Sequence, residues 1–451
     1  MAKQSIRLSD HFTYGKLLRF TLPSICMMVF TSIYGVVDGL FVSNFVGKTP
    51  FAAVNLVMPF VMILGGMGFM IGTGGTALVS KLLGEGKQDE AHRTFSMLVL
   101  FTLLLGAVLS AVGIITMPAV SRLLGASDAM MPDCVLYGRI VTGFTFAFML
   151  QNVFQSFFIA AEKPRLGLFV TVAAGITNMV LDVVLVGMLH GGVEGAAIAT
   201  FISQAVGGVL PVFYFLNKRS TSSIHLGRAQ WNGGVIRSAC INGSSELMTN
   251  LSMSLVNILY NYQLLRFAGE NGVAAYGVIM YAAFLFVAVF VGYAVGSAPI
   301  VSYHYGARNH AELNNLYSKS LRLIGVIAVV MTALSMLVIP YVARIFVGYD
   351  AELLALTSHA FRVYALNFFL MGFNVYGSSF FTALGDGVTS ALISFLRTLL
   401  FQLLALIFLP MVLGIEGVWL AVTAAEAGAL CVTALMFITK DKVFHYRKAS
   451  C

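Results

Sequence analysis

The stretch Gly35-Val-Val-Asp38-Gly-Leu-Phe-Val-Ser-Asn44 places an acidic residue late in the first long apolar segment. An uncompensated charge inside a membrane segment costs about 3 kcal/mol or more, so such a residue has a function or a counter-charge. The polar groups that we expect beside Asp38 are distant in sequence. They are Asn178 and Asp182, one helical turn apart in the fifth apolar segment, and Thr200 in the sixth. The pattern predicts a cation site formed by these four residues.

The composition indicates an integral membrane protein. Of 451 residues, 59% are hydrophobic and 10% are charged, and the mean hydropathy is +0.88. Globular and disordered chains do not have this composition. A span needs about 20 apolar residues, which leaves room for about a dozen spans. Cysteines and histidines show no disulfide or metal-binding spacing and no nucleotide-binding motif occurs, so we expect no cofactor.

Apolar segments and the polar residues between them predict an all-α polytopic fold of two six-helix lobes. The N-terminal lobe, residues 1–217, is expected to contain helices at about 15–45, 51–83, 89–116, 131–161, 165–189 and 194–217. Residues 218–232 form the predicted linker. The C-terminal lobe, residues 233–451, is expected to contain helices at about 234–268, 272–304, 311–338, 354–384, 388–413 and 417–439, followed by a short basic tail.

Basic residues predict the orientation of these helices. Of the 27 Lys and Arg, 20 fall in terminal and inter-helix regions that share one side, and six fall on the other side. Cytoplasmic loops carry such an excess. We therefore expect both termini and the linker in the cytoplasm, and the chain in a bacterial cytoplasmic membrane. The net charge of +8 is then a topology signal, and nucleic-acid binding is not expected.

The two halves show an internal repeat. A shift of 222 residues superimposes Ser80 and Gly84 on Ser302 and Gly306; it also superimposes Glu90 on Glu312, Asn152-Val153 on Asn374-Val375, and Glu194-Gly195 on Glu416-Gly417. One offset serves four regions without a gap, which indicates duplication. Two halves of six spans share one orientation, so we expect a pseudo-two-fold axis along the membrane normal and a cavity between the lobes.

Several motifs resemble the multidrug and toxic compound extrusion (MATE) family over essentially the whole chain. They are Leu22-Pro23-Ser24 with Asp38, the run from Gly72-Thr-Gly-Gly75 to Ser80-xxx-Gly84, Asn178-xxx-Asp182, and Gly192-Val-Glu194-Gly-Ala-Ala-Ile-Ala-Thr200. Within the family, the chain is most similar to the MepA-like bacterial multidrug exporters. The resemblance implies a V-shaped cavity and export of lipophilic, often cationic compounds against an inward Na⁺ or H⁺ gradient. Membrane lipids are the other expected partners, and a monomer is expected.

The resemblance also implies roles for individual residues. Asp38, Asn178, Asp182 and Thr200 match the positions that surround the family's coupling-cation site, with H⁺ or Na⁺ as the ion. Asn152 and Gln155 match polar positions near that site. Two close carboxylates in a low dielectric are relieved by a proton or by Na⁺ held by carboxylate, amide and hydroxyl oxygens.

The C-terminal lobe departs from the family pattern. Relatives of the NorM type carry a Glu on helix 7 and an Asp on helix 10, whereas this chain has Met253 near the former position and Asn367 and Asn374 on helix 10. The 222-residue shift pairs Asp38 with Tyr260 and Asp182 with Leu404. We therefore expect the acidic cluster in one lobe only.

Other candidate residues concern the substrate. Glu246 and Glu426 lie inside apolar segments, as does Arg397. Either glutamate could attract cationic compounds in the cavity, and the alternative is an internal Glu–Arg ion pair. A deformable apolar lining suited to varied ligands is expected from Met and aromatic side chains, among them Met58, Met62, Phe148, Phe154, Met280, Tyr281 and Phe284.

Rival functions remain at this point. A lipid or lipid-linked-precursor flippase would need several basic residues in the cavity, and Arg397 is the single basic residue assigned to the membrane interior. An intramembrane aspartyl protease is suggested by Leu384-Gly-Asp386-Gly, although Gly-Asp-Gly is also ordinary turn chemistry. A channel would need a selectivity filter, and no such motif is found.

Overall fold

The structure is a computed structural model that describes residues 6–217 and 219–447. The side chains of Leu40, Val42, Ser43, Asn44 and Lys48 also lie outside the described part. Some predictions therefore fall on residues that are not described. They concern the two ends of the chain, the first linker residue Lys218, and Lys3, Lys48 and Lys448 in the count of basic residues.

The described residues form helices and connecting segments, with no strand among them. The first half contains α1 (Tyr14–Phe45), α2 (Lys48–Gly84), α3 (Gln88–Leu123), α4 (Met131–Gly143), α5 (Thr145–Ala160), α6 (Pro164–Leu181), a π-helical segment (Asp182–Met188) and α7 (Gly192–Leu216). The second half contains α8 (Gly233–Asn242), α9 (Ser244–Gly306), α10 (His310–Val347), α11 (Ala351–Ala365), α12 (Phe368–Ala383), α13 (Gly387–Phe395), a second π-helical segment (Leu396–Leu400), α14 (Phe401–Leu413), α15 (Ile415–Thr439) and α16 (Asp441–Phe444).

These helices make twelve spans, as predicted. Within the described residues, 9 helical stretches are long and apolar enough to cross a membrane, and two bent helix pairs add two more. The 63-residue α9 is interrupted at Gly269, whose φ of 59° and ψ of −149° are not helical. Because each part of α9 is long enough to span, α9 supplies two spans.

Two predicted helices, 131–161 and 354–384, are each broken in the middle. The α4–α5 pair bends by 53° and the α11–α12 pair bends by 46°. The Thr145 hydroxyl donates to the Thr142 carbonyl at 2.8 Å, and the Asn367 side-chain amide donates to the Tyr364 carbonyl. Side chains that bond a nearby carbonyl compete with the helical backbone bonds, which favours a bend there.

The 222-residue repeat is visible in the helix ends. Gly84, the last residue of α2, corresponds to Gly306 at the end of α9. Gln88 and His310 begin α3 and α10. Thr145 and Asn367, the side chains at the two bends, are also related by the same shift. The duplication therefore extends to the irregularities of the helices.

The described segments nearest the two chain ends lie on one face of the bundle, called here the terminal face. The side-chain amide of Asn315 on α10 donates to the Phe12 carbonyl at 3.0 Å. Its neighbour Asn314 donates to the Tyr446 carbonyl at 3.1 Å. Phe12 and Tyr446, near the two termini, are thus held side by side on α10, as an even number of spans requires.

The lobes are in direct backbone contact near the terminal face. A Cβ on Gly84 would lie 2.0 Å from the Tyr303 carbonyl oxygen, and one on Gly74 would lie 2.0 Å from that of Ala239. No side chain fits at either position. Among the described side chains, two hydrophobic clusters on this side contain residues of both lobes. The two clusters toward the opposite face each contain residues of one lobe. The lobes are therefore closed at the terminal face and separate toward the other.

Candidate ion-binding site

Three helical elements bring the predicted polar residues of the N-terminal lobe together. α1 carries Asp38, α6 carries Asn178 and is followed directly by Asp182, and α7 carries Thr200. The Asp38 carboxylate lies next to the side chains of Asp182 and Asn178. Thr200 lies beside Tyr137, whose ring in turn is within electrostatic range of both aspartates. The sequence prediction of a convergent cluster agrees with this geometry.

Five buried oxygens of this cluster have no hydrogen-bond partner among the described residues. Asp182 is 0% exposed and Asn178 is 2% exposed. Within the described part of the chain, no hydrogen-bond partner is found for Asp38 Oδ1, both Asp182 carboxylate oxygens, Asn178 Oδ1 and Thr200 Oγ1. Buried polar atoms are nearly always paired, so five orphaned oxygens at one place are unusual.

The negative charge of the cluster is also uncompensated. The salt bridges of the described side chains do not include Asp38 or Asp182. Carboxylate, amide and hydroxyl oxygens are hard ligands that suit a cation such as Na⁺, and a carboxylate pair can equally share a proton. The donor set therefore fits either ion.

A π-helical segment, Asp182–Met188, begins at the buried aspartate. In this segment the Leu189 amide donates to the Val184 carbonyl at 2.9 Å and the Gly191 amide donates to Leu185 at 2.8 Å. π-Helical turns are rare and occur frequently at functional sites, because the extra residue re-aims the side chains before and after it. The sequence gives no signal for it.

Three further polar residues near the cluster were not predicted. Tyr34 lies beside Gln151 and within electrostatic range of Asp38, and Tyr137 is 1% exposed. Tyr34 stands four residues before Asp38, so helical spacing was the signal that could have identified it. Gln151 and Tyr137 lie on other helices, and no short-range pattern connects them with Asp38.

Within the described part of the chain, no hydrogen bond joins Asn152 or Gln155 to the aspartates. The Asn152 side-chain amide donates to the Gly65 carbonyl of α2 at 3.0 Å. Gln155 lines a small internal space between α5, α6 and α7 together with Gln151. Asn152 therefore links α5 to α2. Gln155 is one helical turn from Gln151, which lies at the edge of the cluster.

The C-terminal lobe contains an internal ion pair. Arg397 Nη1 lies 3.3 Å from Glu426 Oε1. The Asn374 side-chain amide donates to Glu426 Oε2 at 2.7 Å, and the Thr433 hydroxyl donates to Asn374 Oδ1 at 2.8 Å. Both Glu426 oxygens are engaged in these contacts, so the geometry favours the alternative of an internal Glu–Arg ion pair for Glu426.

Glu246 is placed differently. It stands near the start of α9, is partly exposed, and its charge interacts with that of Arg397. No salt bridge to it is formed by the described side chains. One turn further along α9, Asn250 packs against Gly66 of α2. Glu246 is therefore at the boundary between the lobes, as a cavity residue must be.

The residues predicted to form the apolar lining fall into an exposed group and a packed group. Met62, Tyr281 and Phe284 are exposed at 43%, 36% and 42%. Ser32 on α1 donates to the Phe284 carbonyl at 3.4 Å, which places Phe284 at the lobe boundary. The other partly buried members pack against neighbouring helices: Met58 accepts from Tyr137, Met280 accepts from Tyr364, and Phe148 covers Gly65.

Phe154, another predicted lining residue, lies in the core of the N-terminal lobe. Its ring is 0% exposed. It is stacked on Phe215 with centroids 5.6 Å apart and meets Phe95 edge to face at 6.4 Å. Aromatic residues satisfy core packing as well as cavity lining, and sequence does not distinguish the two.

Comparisons with known proteins agree with the fold. The family model described as MatE matches residues 23–184 and 247–407. The chain is 22% identical to the multidrug export protein MepA of Staphylococcus haemolyticus, over 97% of this chain and 95% of that protein. It is 20% identical to MepA of Staphylococcus aureus, covering 95% of each chain.

Solved structures share the fold. A crystal structure of MATE in complex with MaL6 matches with a TM-score of 0.92 and 22% identity, covering 98% of this chain and 100% of that one. An outward-facing multidrug resistance MATE family transporter of the MOP superfamily matches with a TM-score of 0.91 and 22% identity, covering 99% of both chains. Since the family model matches well over half of the chain, and once in each lobe, this protein belongs to the MatE family.

Proposed function

We propose that this protein is a secondary active multidrug exporter. It exchanges H⁺ or Na⁺ for lipophilic, often cationic compounds by alternating access. The observation that carries the proposal is the group of five buried, donor-free oxygens around Asp38 and Asp182. Multidrug export by the MepA relatives supports the same function.

The arrangement of the lobes fits one state of such a cycle. With the basic terminal face in the cytoplasm, closure at that face and separation at the other correspond to an outward-facing transporter. Ion binding to the Asp38–Asp182 pair would neutralise it and change how α1 packs on α6. A ligand shifts such an equilibrium only by its differential affinity for the two states. Exchange follows if the ion and the drug favour opposite states.

The test is efflux of a fluorescent cationic dye from proteoliposomes. Collapsing the Na⁺ and proton gradients separately identifies the coupling ion. We expect dye transport to stop with one of them. Transport that ignores both gradients would reject the antiport mechanism.

Asp38→Asn isolates the site. This variant keeps the shape of the side chain but removes its charge, so we expect folded protein with gradient-independent, near-background efflux. Asp128→Asn is the matched control, because Asp128 is an exposed aspartate of the same lobe. Normal coupling in Asp38→Asn would remove Asp38 from the mechanism.

A further inference from the structure

Each lobe contains a buried polar cluster, and the two clusters are built on corresponding helices. The fifth span of each lobe contains a π-helical segment: Asp182 begins the first, and Arg397 lies in the second. The sixth spans, α7 and α15, contribute Thr200 and Glu426.

The clusters differ in charge. The N-terminal cluster has two carboxylates and no base in contact with them among the described side chains. The C-terminal cluster holds Arg397 against Glu426 at 3.3 Å, with the side chains 11% and 2% exposed. Arginine stays protonated at any physiological pH, so this positive charge is permanent.

The surroundings of Arg397 are acidic from two sides. Glu426 on α15 is in contact with it, and Glu246 on α9 interacts with it electrostatically. Tyr364 on α11 is the other titratable group near Glu426. Arg397 Nε has no partner in the described part of the chain. Among the described side chains, Arg397 is therefore the cation that pairs with Glu426 in this cluster.

We propose that Arg397 is a tethered counter-ion. It occupies, in the C-terminal lobe, the role that an exchangeable cation has in the N-terminal lobe, so the chain has a single exchangeable-ion site. The inference relies on the proposed function only for identifying the Asp38–Asp182 cluster as that exchangeable site.

Removal of the Arg397 charge should make the C-terminal cluster sensitive to ions. Arg397→Gln would leave the Glu426 carboxylate buried and without a counter-charge, which is strongly unfavourable. The carboxylate would then take up a proton or Na⁺. A cluster that ignores ions in the natural protein would become ion-dependent, and Arg397→Gln/Glu426→Gln would be ion-independent again.

The experiment measures thermal unfolding of the purified full-length protein, with NaCl exchanged for choline chloride and over a range of pH. The starting variant, Asp38→Asn/Asp182→Asn, should lose the ion response of the natural protein. Adding Arg397→Gln to it should create a new response, a rise in Tm of a few degrees with Na⁺ or on acidification. Adding Glu426→Gln as well should abolish that rise. Arg362→Gln, at an exposed arginine of the same lobe, should create none.

Two results would overturn the proposal. One is an undiminished ion response in Asp38→Asn/Asp182→Asn, which would place an exchangeable ion elsewhere. The other is a folded Arg397→Gln protein with no new response. If Arg397→Gln does not fold, the first result still decides. Loss of gradient dependence in dye efflux is a separate failure that concerns the proposed function, because the unfolding data do not depend on transport.

Discussion

Asp38 and Asp182, from α1 and from the end of α6, have adjacent carboxylates inside one lobe. Asp182 is fully buried, and both of its carboxylate oxygens lack donors in the described residues. Two like charges about 4 Å apart repel by about 4 kcal/mol at an effective dielectric of about 20. The pair therefore stores repulsion that an arriving ion or proton releases.

Asp182→Asn is expected to remove that repulsion. In choline buffer at a pH high enough to ionise both carboxylates, the free energy of unfolding should rise by about 1–3 kcal/mol, because the lone Asp38 no longer faces a second charge. The stabilisation by Na⁺ or protons should disappear at the same time. Thermal unfolding with and without Na⁺ measures both effects. A destabilised variant would show that the carboxylate has a structural partner instead.

Most of the architecture could be predicted from sequence because membrane spans and repeats leave strong patterns. Twelve spans, the 222-residue duplication and the linker follow from apolar segment length and one constant offset. The bends at Phe144 and Leu366 could not be predicted. A break inside a continuous apolar segment depends on single side-chain hydrogen bonds, such as that from the Thr145 hydroxyl to the Thr142 carbonyl. The interruption of α9 at Gly269 lies between two helices that were predicted as separate, at about 234–268 and 272–304.

The sequence identified the charged residues of the candidate site but not their contact partners. A charged residue in an apolar segment is visible in sequence, which identified Asp38, Asp182, Glu246 and Glu426 as special. Their partners depend on how the helices pack. Glu426 forms an ion pair with Arg397 on another helix, and the spacing of the two residues in the sequence does not indicate this contact. Apolar candidates such as Phe154, which is buried in the core, cannot be assigned from sequence, because core and cavity positions have the same composition.

Glu246→Gln should discriminate between substrates. Its partly exposed carboxylate lies at the lobe boundary, so the affinity for a monovalent cationic dye should fall about tenfold, which is about 1.4 kcal/mol, while a neutral compound should be unaffected. Dye binding to the purified protein measures this. Glu270→Gln, at an exposed glutamate of the same helix, is the control. Equal losses for both compounds would mean that Glu246 acts on the fold.

Asp386 links stability to pH at the terminal face. It caps α13, with Thr389 N donating at 3.1 Å, and its carboxylate lies 2.7 Å from Lys440 Nζ. Partial burial works against its ionisation, but the hydrogen bonds of Lys440 and Thr389 outweigh burial and lower the pKa of Asp386. These contacts give Asp386 a structural role at the start of α13.

The sign of the pH effect follows from that lowered pKa. The folded state holds the ionised form better than the unfolded state does, so this stabilisation is complete above the unfolded pKa of about 4. It is lost as pH falls through the folded pKa. Thermal unfolding of Asp386→Asn should show a weaker dependence on acid than the natural protein. Asp386→Ala should cost about 1 kcal/mol more than Asp386→Asn, because it also removes the cap.

The segment before α1 joins the two lobes at the terminal face. The Leu8 amide donates to Glu162 Oε1 of the N-terminal lobe at 2.7 Å. The Phe12 amide donates to Glu312 Oε1 of the C-terminal lobe at 2.8 Å. Leu8 and Phe12 are 1% and 0% exposed. This strap has to detach from one lobe before the terminal face can open.

Glu312→Gln should therefore favour opening of the terminal face. Hydrogen bonds to a charged acceptor are worth about 1.5–3 kcal/mol, and the amide retains only part of that. Distances between spin labels on α2 and α9, at the ends near the terminal face, should shift toward a longer population. Glu90→Gln is the matched control, since Glu90 is the repeat equivalent of Glu312 and is exposed. Unchanged distances in Glu312→Gln would show that the glycine contacts between α2 and α9 hold the face closed without the strap.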